Sequence, residues 1–331
     1  MAKAVPMVEL WRGGMLESSH MGHAVICDAS GGIVQAWGDP AAVIFPRSSC
    51  KMLQALPLIE SGAADAVGLT PEQLALACAS HMGAAVHTDM VTRWLADLGL
   101  AESDLRCGPQ EPDDRAARDG LIRAFETPCQ IHNNCSGKHS GFLTLTKHLK
   151  GGPEYTEADH PVQKAVRDAF EDMTGETSPG FGIDGCSAPN FATSLHGLAR
   201  AMARFAVATD SGDARNRAAY RLRRAMVSHP DLVDGSTGAD TDLMRAMGGR
   251  VVTKNGADGV YVAIVPDLRL GIALKIMDGA ARAKEAAIAA LLVHVGALDA
   301  NHPVTLERLG VDLHNRRGLR FGELRISEGF S

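Results

Sequence analysis

Two different spacings of apolar positions divide the chain. Over the first 45 residues the apolar positions fall in short β-rich runs, "MVELWRGGMLESS" and "HAVICDASGGIVQAWGD". The Asp and Gly of residues 28–32 separate two of these runs as a hairpin turn would. From Pro46 the spacing becomes helical. "CKMLQALPLIESGAAD", "PEQLALACAS", "HTDMVTRWLADLGL", "DGLIRAFE", "KHSGFLTLTKHL", "HPVQKAVRDAFEDMTG", "FATSLHGLARAMARFA" and "ARNRAAYRLRRAMVSHP" follow one another between Gly, Pro and Asp breaks. The β pattern returns in "GRVVTKNGADGVYVAIVPDLRLGIALKIMDG", three runs punctuated by Asn255–Gly256, Asp258–Gly259 and Pro266–Asp267. The alanine-rich "ARAKEAAIAALLVHVGAL" then closes as a helix. This order predicts an α+β fold, an antiparallel sheet built from both chain ends with packed helices and an inserted helical region. The expected organisation is a single domain over residues 1–331, with a sheet subregion at about 1–45 and 250–300 and a helical subregion at about 46–249. The last thirty residues are more polar and receive no element.

Composition narrows the function classes. The chain has 331 residues, 45% apolar and 22% charged, enough to bury a sizeable core. A formal charge of -6 provides no basic footprint, so no nucleic-acid partner is expected. The apolar stretch from Ala286 runs for roughly 13 residues against the ~20 that cross a bilayer, so no membrane partner is expected either. The start, "MAKAVPMVELWRGG", has no continuous apolar segment and no cleavage site, and a cytoplasmic location is expected. Seven scattered cysteines, an odd number, read as reduced thiols rather than a disulfide framework.

Candidate chemistry begins at "FPRSSCKMLQ". If a helix starts near Pro46, Ser48 and Lys51 stand at i and i+3 and share a face, whereas Ser49 and Cys50 point elsewhere. A lysine in that position can serve as the base that makes a serine hydroxyl nucleophilic. Taken alone, Ser-x-x-Lys is a weak signal, because most matches are a helix cap followed by a snorkelling lysine. Order adds weight. "LALACASHMG" ends a helical run on Ser80, and "VVTKNGADG" places Lys254 on a late strand, as in enzymes where Ser-x-x-Lys precedes an inner serine and a Lys-Thr-Gly-type strand. A second cluster lies in "QIHNNCSGKHSGFL" and "GFGIDGCSAPNFA". There Cys135 and Lys138 are three apart at a helix start, and Cys186 sits in a Gly-rich turn just before a helix. On composition these thiols read first as a disulfide or as two buried groups that never meet and only third as zinc ligands, and Cys135 also competes with Ser48 as nucleophile. Asp184 could capture a substrate ammonium, or could simply form a turn.

Five motifs in this order, "FPRSSCKMLQALPLIESGAAD", "ASHMGAAVH", "HNNCSGKHSGFL", "GIDGCSAPNFA" and "TKNGADGVYVAIVPDLRLGIALKIMDG", resemble the Rhizobium etli-type L-asparaginases, the asparaginase II family. The resemblance runs from about Val8 to Gly296. It implies a serine β-lactamase/penicillin-binding-protein-like fold, a homodimer, and hydrolysis of L-asparagine to L-aspartate and ammonia. It also implies two catalytic Ser-Lys tandems, Ser48 with Lys51 and Ser80 with Lys254. Zn²⁺ would lie near the active site on Cys135, Lys138 and Cys186, with Lys138 also close to the substrate, and Arg47 and Asp184 would meet the substrate's charged groups. The family often carries a glycine after the second cysteine, where this chain has Ser187. Two rival readings are a related serine amidase acting on glutamine or another amide, and a non-catalytic amino-acid- or zinc-binding module. A substrate panel separates the first, and binding without turnover would mark the second.

Overall fold

The computed structural model describes residues 3–330. An eight-stranded antiparallel sheet is assembled from both ends of the chain, in the order Val311–His314, Arg320–Ile326, Val5–Arg12, Met15–Cys27, Leu270–Ile276, Val260–Val265, Val252–Gly256, with Ile33–Trp37 paired to Met15–Cys27. The expected hairpin is present: Asp28 Oδ1 accepts from the Ser30 and Gly32 amides and turns the chain between two of these strands. The polar tail, unassigned from sequence, contributes two strands and extends the sheet to Ile326. Its apolar positions alternate with charged ones over only a few residues. Val311–His314 pairs with Arg320–Ile326, whose other partner strand, Val5–Arg12, is some three hundred positions away, so no local pattern announces where the tail joins the sheet.

Two compact units result. One comprises residues 1–49, 193–207 and 242–331, the other residues 50–192 and 208–241. The sheet unit therefore reaches beyond the expected 250–300, and it includes the helix Leu195–Ala206 from the middle of the chain. Period-two alternation organises this unit. Ile272, Leu274 and Ile276 join Tyr261, Ala263 and Val265 and the helix Ala281–His294 in one continuous core. On the opposite face, the missing side chain of Gly271 lets the helix Leu195–Ala206 approach the strand: a Cβ there would lie 2.1 Å from the Ala203 nitrogen.

The helical unit begins where predicted, but in pieces. A 3₁₀ turn over Arg47–Cys50 leads into the short helices Lys51–Gln54, Leu56–Glu60 and Ala63–Ala66, broken around Pro57 and Gly62. Pro71–Ala77, Ala85–Asp97, Ser136–Leu149, Pro161–Thr174 and Ala214–Ser228 make up most of the rest. The helix Ser136–Leu149 packs on Pro71–Ala77 through Gly137, where a Cβ would come within 2.4 Å of the Leu76 carbonyl oxygen. Cys186 departs from expectation. It lies in the turn of a two-stranded hairpin, Phe181–Ile183 with Pro189–Phe191, not immediately before a helix. The Ser187 amide bonds back to the Asp184 carbonyl at 2.9 Å, and Ser187 takes φ +70°, the left-handed region a glycine would favour.

Candidate active site

The helical unit holds Lys51, Ser80, Cys135, Lys138, Asp184 and Cys186; the sheet unit holds Arg47, Ser48 and Lys254. In the helical unit Lys51 is fully buried, with its amine 3.1 Å from Ser80 Oγ. The same amine donates to the Ala79 carbonyl and lies 3.5 Å from that of Asn134. Backbone bonds fix this arrangement: the Ser80 amide donates to the Val233 carbonyl at 2.9 Å and the His81 amide to the Asn134 carbonyl at 3.2 Å. A buried ammonium needs such oxygens around it. Ser80 therefore has Lys51 as a described partner, whereas the motif pairing assigns it Lys254.

His81 and His87 stack behind this pair, ring centroids 4.9 Å apart. Ser136 donates its hydroxyl to the Ile131 carbonyl, so His81 Nε2, 2.8 Å away, must donate to Ser136. His81 Nδ1 accepts from the Gly83 amide at 3.1 Å. Both nitrogens are thereby committed to the neutral ring. Burial, followed by His87 and Lys51, holds the imidazole well below its ordinary range.

The second cluster assembles as the "CSGK" spacing allows. Cys135 precedes the helix Ser136–Leu149, Lys138 lies one turn in, and the hairpin brings Cys186 Sγ to 3.0 Å from Lys138 Nζ. All three are buried, at 4%, 2% and 3% exposure. A hydrogen bond from Cys135 holds Cys186 well below the ordinary thiol range despite burial, with Lys138 and His139 adding to the effect. The same bond, with burial, pushes Cys135 up. Burial pulls the Lys138 ammonium down, but Cys186 and Cys135 outweigh it and hold it raised. Burial also pushes the neighbouring Cys50 up to about 12.

These donors fit a soft divalent ion. Two sulfurs and one amine converge, and zinc binding would take protons from Cys135 and Lys138. The described residues contain no group of three or more His, Cys, Asp or Glu able to hold a metal, and this set is two cysteines and a lysine. Lys51 and Lys138 both act electrostatically on Cys50 and Cys135, which puts the Ser-Lys pair and the thiols in one neighbourhood. Asp184 also acts on Lys138, and its carboxylate accepts from the Gly185 amide at 2.7 Å, so it helps to form its own turn.

In the sheet unit Lys254 is fully buried, on an edge strand opposite Val262. Its neighbour Asn255 faces Lys284 of the helix Ala281–His294, with 3.3 Å between them, so Lys254 projects from the other face of the sheet. Its amine lies 3.1 Å from the Asn255 carbonyl. The strand runs against the turn that bears Ser48: a Cβ on Gly256 would lie 2.7 Å from the Pro46 carbonyl and 2.8 Å from the Ser49 amide. Ser49 is buried and donates to the Pro46 carbonyl at 2.7 Å, a structural bond that commits its hydroxyl, whereas Ser48 is partly exposed.

Sequence reasoning passed over His81, Gly137, His139 and Tyr155. Tyr155 accepts from the Arg106 amide at 2.7 Å and so donates to His139 Nδ1 at 2.9 Å, fixing that ring's tautomer. Two of these residues directly follow site residues, His81 after Ser80 and His139 after Lys138, and adjacency could have flagged them.

The helical unit thus brings a buried lysine onto a serine hydroxyl and a second buried lysine onto a cysteine sulfur. The family profile described as L-asparaginase II matches residues 8–326, and the chain belongs to that family, which makes it an amide hydrolase by kinship. Among solved structures it is similar to Mglu in its native form (11% identity, TM-score 0.48, covering 91% of this chain and 70% of that one). Mglu in its tris and glutamate form gives 11% identity and TM-score 0.48, covering 90% and 63%. A β-lactamase from Mycobacterium bovis gives 12% identity and TM-score 0.36, covering 80% and 89%. No match is found among curated protein sequences.

Proposed function

We propose that the protein is an L-asparaginase of the Rhizobium etli type, hydrolysing L-asparagine to L-aspartate and ammonia. The observation that carries the reading is the buried Lys51 amine 3.1 Å from Ser80 Oγ in a chain of the L-asparaginase II family. Ser48, three positions before Lys51, attacks the side-chain amide carbon as Lys51 takes its proton. Ammonia leaves and a β-aspartyl ester remains, which water hydrolyses with a lysine as base. Ser80 and Lys254 relay protons. Asp184 holds the α-ammonium and Arg47 the α-carboxylate. Cys135, Lys138 and Cys186 would hold Zn²⁺, which when bound supplies a fixed positive charge beside the substrate. The same kinship implies a homodimer.

Ammonia release from L-asparagine beside L-glutamine, with and without added zinc, tests the reading. Preferred turnover of L-asparagine supports it. Faster release from L-glutamine would make the protein a glutaminase instead, and binding of either amino acid without release would leave a binding module.

A further inference from the structure

Arg47 is held in an unusual way. It takes φ +53°, a left-handed conformation that residues with a β-carbon seldom adopt, at the start of the turn bearing Ser48. Its guanidinium Nη1 lies 3.6 Å from Asp258 Oδ2. Asp258 reaches that position because Gly256, two residues earlier, lets the strand end press against the Pro46 carbonyl and the Ser49 amide, where any side chain would collide. Lys275 then anchors the Asp258 backbone by donating to its carbonyl. Two carboxylates and two cations share this corner, since Asp258, Arg47 and Asp278 all act on Lys275. Asp278 bonds His20, 2.6 Å away, while Asp258 faces Arg47.

We propose that Asp258 is a positioning residue for Arg47, holding the guanidinium in the orientation that receives the α-carboxylate of an amino-acid ligand. The inference rests on the asparaginase reading for the identity of that ligand. A guanidinium has five N–H donors in a rigid fork, so one carboxylate contact can orient it without exhausting it. Asp258 has 77% of its side chain exposed, so the pair contributes little to folding and its effect falls on ligand binding.

The test is calorimetric titration of L-aspartate into the wild-type protein and the variants Asp258→Asn, Asp258→Ala and Asp258→Glu, with thermal unfolding of each. The Asn and Ala variants should raise the dissociation constant about three- to tenfold with an unchanged melting temperature. The Glu variant should return it to within about twofold, a rescue that general loosening of the turn would not produce. Unchanged affinity in the Asn and Ala variants, a Glu variant as weak as Ala, or no L-aspartate binding by the wild type would each overturn the proposal. If affinities follow the expected order but L-asparagine releases no ammonia, the asparaginase reading fails and the role of Asp258 stands. If ammonia is released and the order is absent, the role of Asp258 alone fails.

Discussion

The sheet unit and the helical unit place their candidate chemistry by different physical means. In the sheet unit Lys254 and the Ser48 turn are positioned by backbone apposition: an edge strand, a glycine with no room for a β-carbon, and period-two alternation that decides which face a side chain leaves from. In the helical unit Lys51, Ser80, Cys135, Lys138 and Cys186 are positioned by buried polar groups that must satisfy one another, one lysine on carbonyls and a hydroxyl, the other on a cysteine sulfur. Steric fit tolerates changes in charge but not in volume. A buried polar network tolerates the reverse, because removing one partner strands the other without solvent.

Substitutions can break this contrast. The largest expected effect is in the sheet unit, where Ser48→Ala should lower ammonia release from L-asparagine at least about a thousandfold while circular dichroism and melting temperature stay near wild type. Retained turnover would remove Ser48 from the nucleophile's role. Next, Cys135→Ala and Cys186→Ala should each reduce the zinc content of purified protein to background, read by elemental analysis. Equal and negligible metal in both variants and the wild type would end the zinc assignment.

Smaller effects sharpen the comparison. Gly256→Ala and Gly137→Ala each drive a β-carbon into backbone, and each should cost about 1–3 kcal/mol in denaturant unfolding. If the two units differ as argued, Gly256→Ala should also lower turnover by shifting the Ser48 turn, and Gly137→Ala should disturb the packing that brings Lys138 to its sulfur. A stable Gly256→Ala variant with full activity would contradict the sheet half of the argument. The smallest effect is one of pH. His81 and His87 have folded values lowered below the ordinary 6.5, chiefly by burial. The unfolded chain therefore takes up their protons first as pH falls. Their contribution is complete above about pH 6.5 and is lost on acidification toward the folded values, so the melting temperature should fall between about pH 7 and 5. His81→Gln should flatten that decline.

Much of this could be read along the chain. Hydrophobic period separated the strands at the two ends from the helical middle, because alternation and 3.6-residue spacing are local properties. The residues 28–32 turn, the "TKNG" strand and the helix after Cys135 all stand where their spacing put them. The helical spacing from Pro46 is also present, as a 3₁₀ turn over Arg47–Cys50 followed by the helix Lys51–Gln54. The misses share a cause. The tail joins the sheet through one strand, Arg320–Ile326, whose partner lies some three hundred positions away, and the Cys186 turn closes into a hairpin through a left-handed serine that no propensity announces.

By itself, then, the sequence determined the order of elements and the family. These depend on local periodicity and on motifs that act over a few residues. The tertiary structure decided the partners: Ser80 for Lys51, Cys186 for Lys138, Asp258 for Arg47. Each pairing spans 29, 48 or 211 positions, and it exists because the packed backbone brings a hydrogen-bonding or oppositely charged group within reach of each basic side chain.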